Sequence, residues 1–120
     1  MTLEELGRRA VACKHWRWRD GSKRVHAEHR WAWRLCGWRW FPCDERSNAV
    51  HDNCFAEAIP DLSDPATLGC LLALVREAWA NDTMHARPGG DRWRVWSEEP
   101  GAFVFGTEAE ALVAALEAAP

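Results

Sequence analysis

Leu3, Leu6, Ala10 and Cys13 recur at helical spacing behind Thr2, and Glu5 completes a capping box with that threonine, so a helix is predicted over residues 3–14. Gly7 weakens it. From Trp16 to about Phe41 the period drops to two, with Asp20-Gly21-Ser22 and His26 to His29 as breaks between strands. Trp31, Trp33 and Leu35 share one parity while Trp38 and Trp40 fall on the other, which one strand cannot reconcile; a turn or bulge is expected at Gly37. Residues 42–60, through Asp44-Glu45-Arg46-Ser47-Asn48, read as a polar loop with a short strand near Cys54 to Ile59. A second helix starts at Asp64 as N-cap with Pro65 in its first turn, carries Leu68, Leu71, Leu72, Val75 and Trp79 as an apolar stripe, and stops at Asn81-Asp82.

Beyond it, Pro88-Gly89-Gly90 reads as a turn, and residues 92–97 and 102–106 form a hairpin in which Trp93 and Val95 oppose Trp96 in parity. Thr107 and Glu110 open a third helix, with Leu112, Ala115, Leu116 and Ala119 on one face. Strands and helices that do not strictly alternate predict a single α+β domain over residues 1–120, ordered α-β-β-β-α-β-β-α, with helices packed on an antiparallel Trp-rich sheet.

Composition sharpens this picture in two ways. Nine tryptophans in 120 residues are threaded with arginine, as in Trp16-Arg17-Trp18-Arg19, Arg30-Trp31-Ala32-Trp33-Arg34, Trp38-Arg39-Trp40 and Arg92-Trp93-Arg94-Val95-Trp96. So many indoles are hard to bury in a small domain, and a few are expected in an exposed patch. The net charge of −3 also conceals an asymmetry: residues 1–40 hold ten Lys/Arg against four acids, and residues 41–120 hold five Arg against fourteen acids. The two halves can neutralise each other within the fold or face two partners. No basic region followed by an apolar run opens the sequence, and the longest apolar stretch, Leu68 to Val75, is far too short to span a bilayer, so a cytoplasmic protein without membrane contact is expected. Five cysteines at irregular spacing suit buried thiols better than a disulfide framework.

Four chemistries are weighed on these residues. Cys36, Cys43, His51 and Cys54 supply zinc-type donors, but six residues part the first two where two to four are usual, so no metal or other cofactor is expected. The basic N-terminal third, with Trp16, Trp18, Trp31, Trp33 and their arginines, could stack and neutralise a nucleic-acid strand, against the acidity of the remainder. His51 with Cys54, or Cys13 with His15, holds the residue types of thiol catalysis, yet no phosphate loop, nucleophile elbow or H-E-x-x-H motif is present, and an enzyme is not expected. Trp and Arg are also the residues most enriched at protein-binding hot spots, and an obligate homodimer would hide surplus indoles equally well.

The stretch Asp61-Leu62-Ser63-Asp64-Pro65-Ala66-Thr67-Leu68 through Trp79, followed by the Trp-containing hairpin and the Thr107-initiated, Ala-rich last helix, resembles small bacteriophage and prophage proteins of the phage ABA sandwich family. The likeness covers the second half well and the first half only as a helix followed by aromatic strands. It implies a phage origin and an α/β sandwich, and carries no reaction and no catalytic residues. With it, the expected function is non-enzymatic: an anti-defence inhibitor of anti-CRISPR type that binds a host protein complex. Its docking residues are expected among Arg30, Trp31, Trp33, Arg34, Trp38 and Trp40, or among Asp44, Glu45, Glu98 and Glu99 as an acidic surface. The alternatives are a nucleic-acid-binding accessory protein using the N-terminal sheet, and a small virion or assembly oligomer.

Overall fold

The computed structural model describes residues 1–26, 31–37, 39–44, 58–98 and 101–120. Ten elements follow in order: α1 (Leu3–Ala12), β1 (Lys23–Val25), β2 (Ala32–Cys36), β3 (Arg39–Pro42), β4 (Ile59–Pro60), α2 (Pro65–Ala78), β5 (His85–Gly89), β6 (Arg92–Ser97), β7 (Gly101–Phe105) and α3 (Glu108–Ala118). The α+β class and the alternation of helices with blocks of strands are those expected. The strands divide between two antiparallel sheets, one ordered β3-β2-β1-β4 and the other β5-β6-β7, where a single sheet was the simplest expectation.

The helix starts were legible because their caps are local. Thr2 Oγ1 accepts the Glu5 N–H while Glu5 returns a carboxylate oxygen to the Thr2 N–H, each at about 3 Å. Thr107 caps α3 through the Glu110 N–H. Asp64 caps α2 through the Thr67 N–H, with Pro65 in the first turn where its missing N–H costs nothing. At the other end of α2, Ala80 takes φ +51, and the Ala80 and Asn81 N–H groups bond back to Glu77 and Arg76. This closing motif normally carries glycine at the left-handed position. Ala80→Gly is therefore expected to raise stability by about 0.5 kcal/mol, the relieved left-handed strain exceeding the added unfolded-state entropy, which a thermal melt reads as a small rise in Tm.

The core gathers around α3. Ala109, Ala111, Leu112, Val113, Ala115, Leu116 and Ala119 are all buried, so this helix is covered almost all round. Its alanines let α1, α2 and the β5–β7 sheet approach closely. Leu6 and Ala10 from α1, Leu71, Leu74 and Val75 from α2, and Met84 and Val95 complete the cluster. The inward stripe of α2 runs through Thr67, Cys70, Leu71, Leu74 and Val75, with Leu68 and Leu72 only half-buried, a rotation from the expected stripe. In β6 the expected parity holds: Val95 and Ser97 are buried and Trp93 half-buried, while Arg92, Arg94 and Trp96 point outward.

In the first sheet, Trp33 pairs with Arg24 and Pro42, and Leu35 with Trp40. Cys36 pairs with Arg39, Gly37 after Cys36 has φ +68, and this reversal returns Trp40 to the face of Trp33 and Leu35. Residues 16–19, expected as strand, are unpaired with either sheet; their indoles instead cross toward that aromatic face. The strand expected near Cys54 to Ile59 is present at Ile59–Pro60, and the rest of that span lies outside the described residues.

Candidate binding faces

The Trp-rich sheet builds an aromatic cluster. Trp16 and Trp18 meet edge to face with centroids 5.2 Å apart, Trp18 meets Trp40 likewise at 5.4 Å, and the Arg24 guanidinium lies 3.8 Å above Trp40. His26 packs beside Trp31 at 5.6 Å. Such T-shaped and cation–π contacts engage the ring faces within the fold. Trp31 is only 3% exposed, and Trp16, Trp18, Trp33 and Trp40 are half-buried. Of the eight described tryptophans, Trp96 alone is exposed, at 37%.

Most of the described cations of the basic third are engaged within the fold. Arg8 pairs with Glu4, Arg9 with Glu117, Arg17 and Arg19 both with Glu77, Lys23 with Asp61 at 3.1 Å, and Arg34 with Asp64. Arg24 and Arg39 lie over Trp40 and Phe41. Glu77 is held below its ordinary carboxylate range, chiefly by the Arg17 hydrogen bond with Arg19 adding to it. Burial pushes Asp61 up, but the Ser63 hydroxyl and the Lys23 ammonium together hold it lower. The most extensively hydrogen-bonded pair among the described residues is Arg34–Asp64: Arg34 donates to both Asp64 oxygens at 2.9 and 3.0 Å and to the Gly21 carbonyl at 2.7 Å. Asp64 also accepts the Thr67 hydroxyl at 2.7 Å and its N–H at 3.0 Å, and the arginine first, then Thr67, brings its pKa down to about 2. Arg34 thus binds α2 to the first sheet.

The reverse holds on the C-terminal sheet. Register places Arg87 opposite Arg94, His85 opposite Trp96, Arg94 opposite Val104 and Trp96 opposite Ala102, all on the face turned away from α3. Arg87, Arg92 and Arg94 are exposed, and their guanidinium groups form no ion pair or hydrogen bond among the described residues. No strand residue of this face carries a carboxylate. Like charges directly across an antiparallel pair destabilise it, so the Arg87–Arg94 pairing is a local cost to the fold.

A cleft of about 770 Å³ opens at one end of this face, lined by Asn81, Thr83, His85, Trp96, Ser97 and Glu98. Its floor is internally bonded: Thr83 donates N–H and hydroxyl to Asn81 Oδ1 at 2.9 and 2.6 Å, and Asn81 Nδ2 donates to Ser97 Oγ at 2.8 Å. His85 Nδ1 lies 3.1 Å from the Thr83 carbonyl. A carbonyl can only accept, so Nδ1 carries the proton and Nε2 of the neutral ring is an acceptor. The Trp96 ring stands edge-on to His85 at 5.4 Å. The cleft mouth therefore offers an aromatic face, one ring nitrogen and the Glu98 carboxylate, a set suited to a flat heteroaromatic group.

The residues singled out from the sequence disperse. Trp31 is buried, Arg34 is held by Asp64, Trp40 belongs to the aromatic cluster with Trp33 on the same face of the sheet, and Asp44 and Glu98 are exposed but follow strands of different sheets. Arg30, Trp38, Glu45 and Glu99 lie outside the described residues, as do His51 and Cys54. Cys36 and Cys43 sit at opposite ends of the β2–β3 pairing, where Cys36 faces Arg39 and the Cys43 N–H reaches the Ala32 carbonyl at 2.9 Å. Four residues of strand, roughly 13 Å, separate them, too far for one tetrahedral ion. Both thiols are exposed, against the expectation of buried ones, whereas Cys70 is buried and Cys13 half-buried.

Sequence reasoning passed over Arg87, Arg92 and His85. The signal was present in Arg92-Trp93-Arg94-Val95-Trp96, whose alternation puts Arg92, Arg94 and Trp96 on one face, but the greater cation count near Trp16 to Trp40 drew attention there. Among the described residues, no helix is long and apolar enough to cross a membrane. Comparison of the chain with family models, characterised proteins and solved structures finds no match.

Proposed function

We propose that this chain is a non-enzymatic binding protein that holds single-stranded nucleic acid on the outer face of the β5–β7 sheet. The observation that carries the reading is, among the described residues, the set of three unpaired arginines on one carboxylate-free strand face, two of them directly opposed, beside the one exposed tryptophan. A polyanion relieves that repulsion by taking each guanidinium to a phosphate. A base stacks on Trp96 and presents a donor to His85 Nε2 at the cleft mouth. The N-terminal cations do not compete, because carboxylates and aromatic rings already occupy most of them.

Titration of a fluorescent 12-mer single strand by anisotropy at 50 and 200 mM salt tests this. Three phosphates neutralised on a single strand give a log–log salt slope near −2, a loss of about 15–20-fold over that range. Failure to bind at 100 μM protein at about 50 mM salt, or a flat salt response, sinks the reading.

A second reading keeps the same face and changes the partner. An exposed Trp flanked by free arginines also anchors in an acidic protein surface, which suits an anti-defence inhibitor of phage origin acting on a host complex. Affinity capture from bacterial lysate with and without nuclease separates the two: a stoichiometric protein surviving nuclease favours the inhibitor, and recovery lost with nuclease favours the nucleic acid. The acidic version of that inhibitor draws less support, since Asp44 and Glu98 follow strands of separate sheets and five other carboxylates are taken by cations.

A further inference from the structure

Open strand edges invite pairing with another chain, and folds blunt them with charge, proline or a covering element. Among the described residues, three of the four sheet edges are blunted. β3 carries Arg39 and Pro42, β5 carries Arg87 and Pro88, and β4 contains Pro60 and lies against α1. The fourth, β7, reads Gly101-Ala102-Phe103-Val104-Phe105, with neither charge nor proline. It pairs with β6 on one side and, among the described residues, makes no backbone hydrogen bond on the other. Val104 is 39% and Phe105 37% exposed on it.

From this edge we infer that two copies of the chain join by antiparallel pairing of β7 with β7, centred on Phe103. The strand is complementary to itself in that register. Phe103 meets Phe103 of the second copy, Ala102 meets Val104, and Gly101 meets Phe105, a glycine that leaves room for the ring opposite. No like charges oppose one another. The outer face becomes continuous across both copies, with a cross-strand row running from His85, Trp96 and Ala102 of one chain to Val104, Arg94 and Arg87 of the other. A six-stranded platform then carries six of the unpaired arginines. The dimer stands on the edge strand alone and does not depend on what the face binds.

Sedimentation equilibrium without nucleic acid reads the mass directly, against 13.7 kDa for one chain. The expected result is twice that mass at micromolar concentration. Ala102→Lys with Val104→Lys puts lysine opposite lysine at two pairs and is expected to weaken dimerisation at least 30-fold; both positions are exposed, and the like charge that Val104→Lys sets opposite Arg94 within each chain is shared by both double variants, so comparing them isolates the contact between copies. Ala102→Glu with Val104→Lys places glutamate opposite lysine at the same two pairs and is expected to restore the dimer. That rescue is specific to the register centred on Phe103. A wild-type monomer at 100 μM overturns the inference, as does a dimer indifferent to the lysine pair or one broken equally by both double variants.

Discussion

Replacing Arg87, Arg92 and Arg94 together with alanine is expected to weaken single-strand binding about 100-fold at 50 mM salt and to flatten its salt slope toward zero. Trp96→Ala is expected to cost a further ~1–3 kcal/mol by removing the stacking surface, with the slope intact. The two readouts separate phosphate contacts from base contacts. The triple variant should also melt higher than the wild type, because removing Arg87 and Arg94 abolishes a like-charge pair worth roughly 0.2–1 kcal/mol. Stability gained as binding is lost identifies residues kept for binding rather than for folding. Arg17→Ala with Arg19→Ala serves as the control: both arginines are held by Glu77, and binding should be unchanged. Loss of binding in that control with retention in the triple variant would return the site to the N-terminal sheet.

Asp64→Ala is expected to destabilise the fold by about 3 kcal/mol at pH 7, the largest effect of any single substitution considered. About 1 kcal/mol is the lost N-cap of α2, and the remainder is Arg34 left without its carboxylate in a partly enclosed site. Urea unfolding measures it; a loss below 1 kcal/mol would show the pair to be ornamental. Asp64→Asn keeps the cap and removes the charge. The Asp64 carboxyl lies at about 2 in the folded chain against 3.8 ordinarily, a depressed value, so its contribution is fully present above about pH 5 and is lost as pH falls through 4 toward 2. The wild type should lose roughly 2 kcal/mol more than Asp64→Asn across that window.

Local signals carried most of the fold. Thr2, Asp64 and Thr107 announce their helices because a cap needs only the next three residues, and Gly37 marks a reversal that parity alone demands. β5 was hidden because Pro88 and Gly89 argue against a strand, and proline is tolerated there only because β5 is an edge, a fact of tertiary position. The division into two sheets was equally invisible, since nothing in a strand's own residues says which neighbours it will find. The binding face escaped for an electrostatic reason. Counting cations along the chain cannot reveal which carboxylates, 60 or 108 residues away, will neutralise them, as Glu77 does for Arg17 and Glu117 for Arg9. What survives neutralisation is a property of the folded charge pattern, and it lies in the half of the sequence with fewer basic residues.

The position of α3 bears on how the chain comes off the ribosome. The helix that the other two helices and the β5–β7 sheet pack against follows every other described element. Leu6, Leu71 and Val95 are all made before it and have no central partner until it emerges. Synthesis therefore passes through a stage in which these side chains exist without the helix that covers them, and assembly closes around α3 once it follows. In such a sequence, chaperone contact before release and protease sensitivity of nascent chains halted before residue 108 are direct consequences of where that helix falls in the chain.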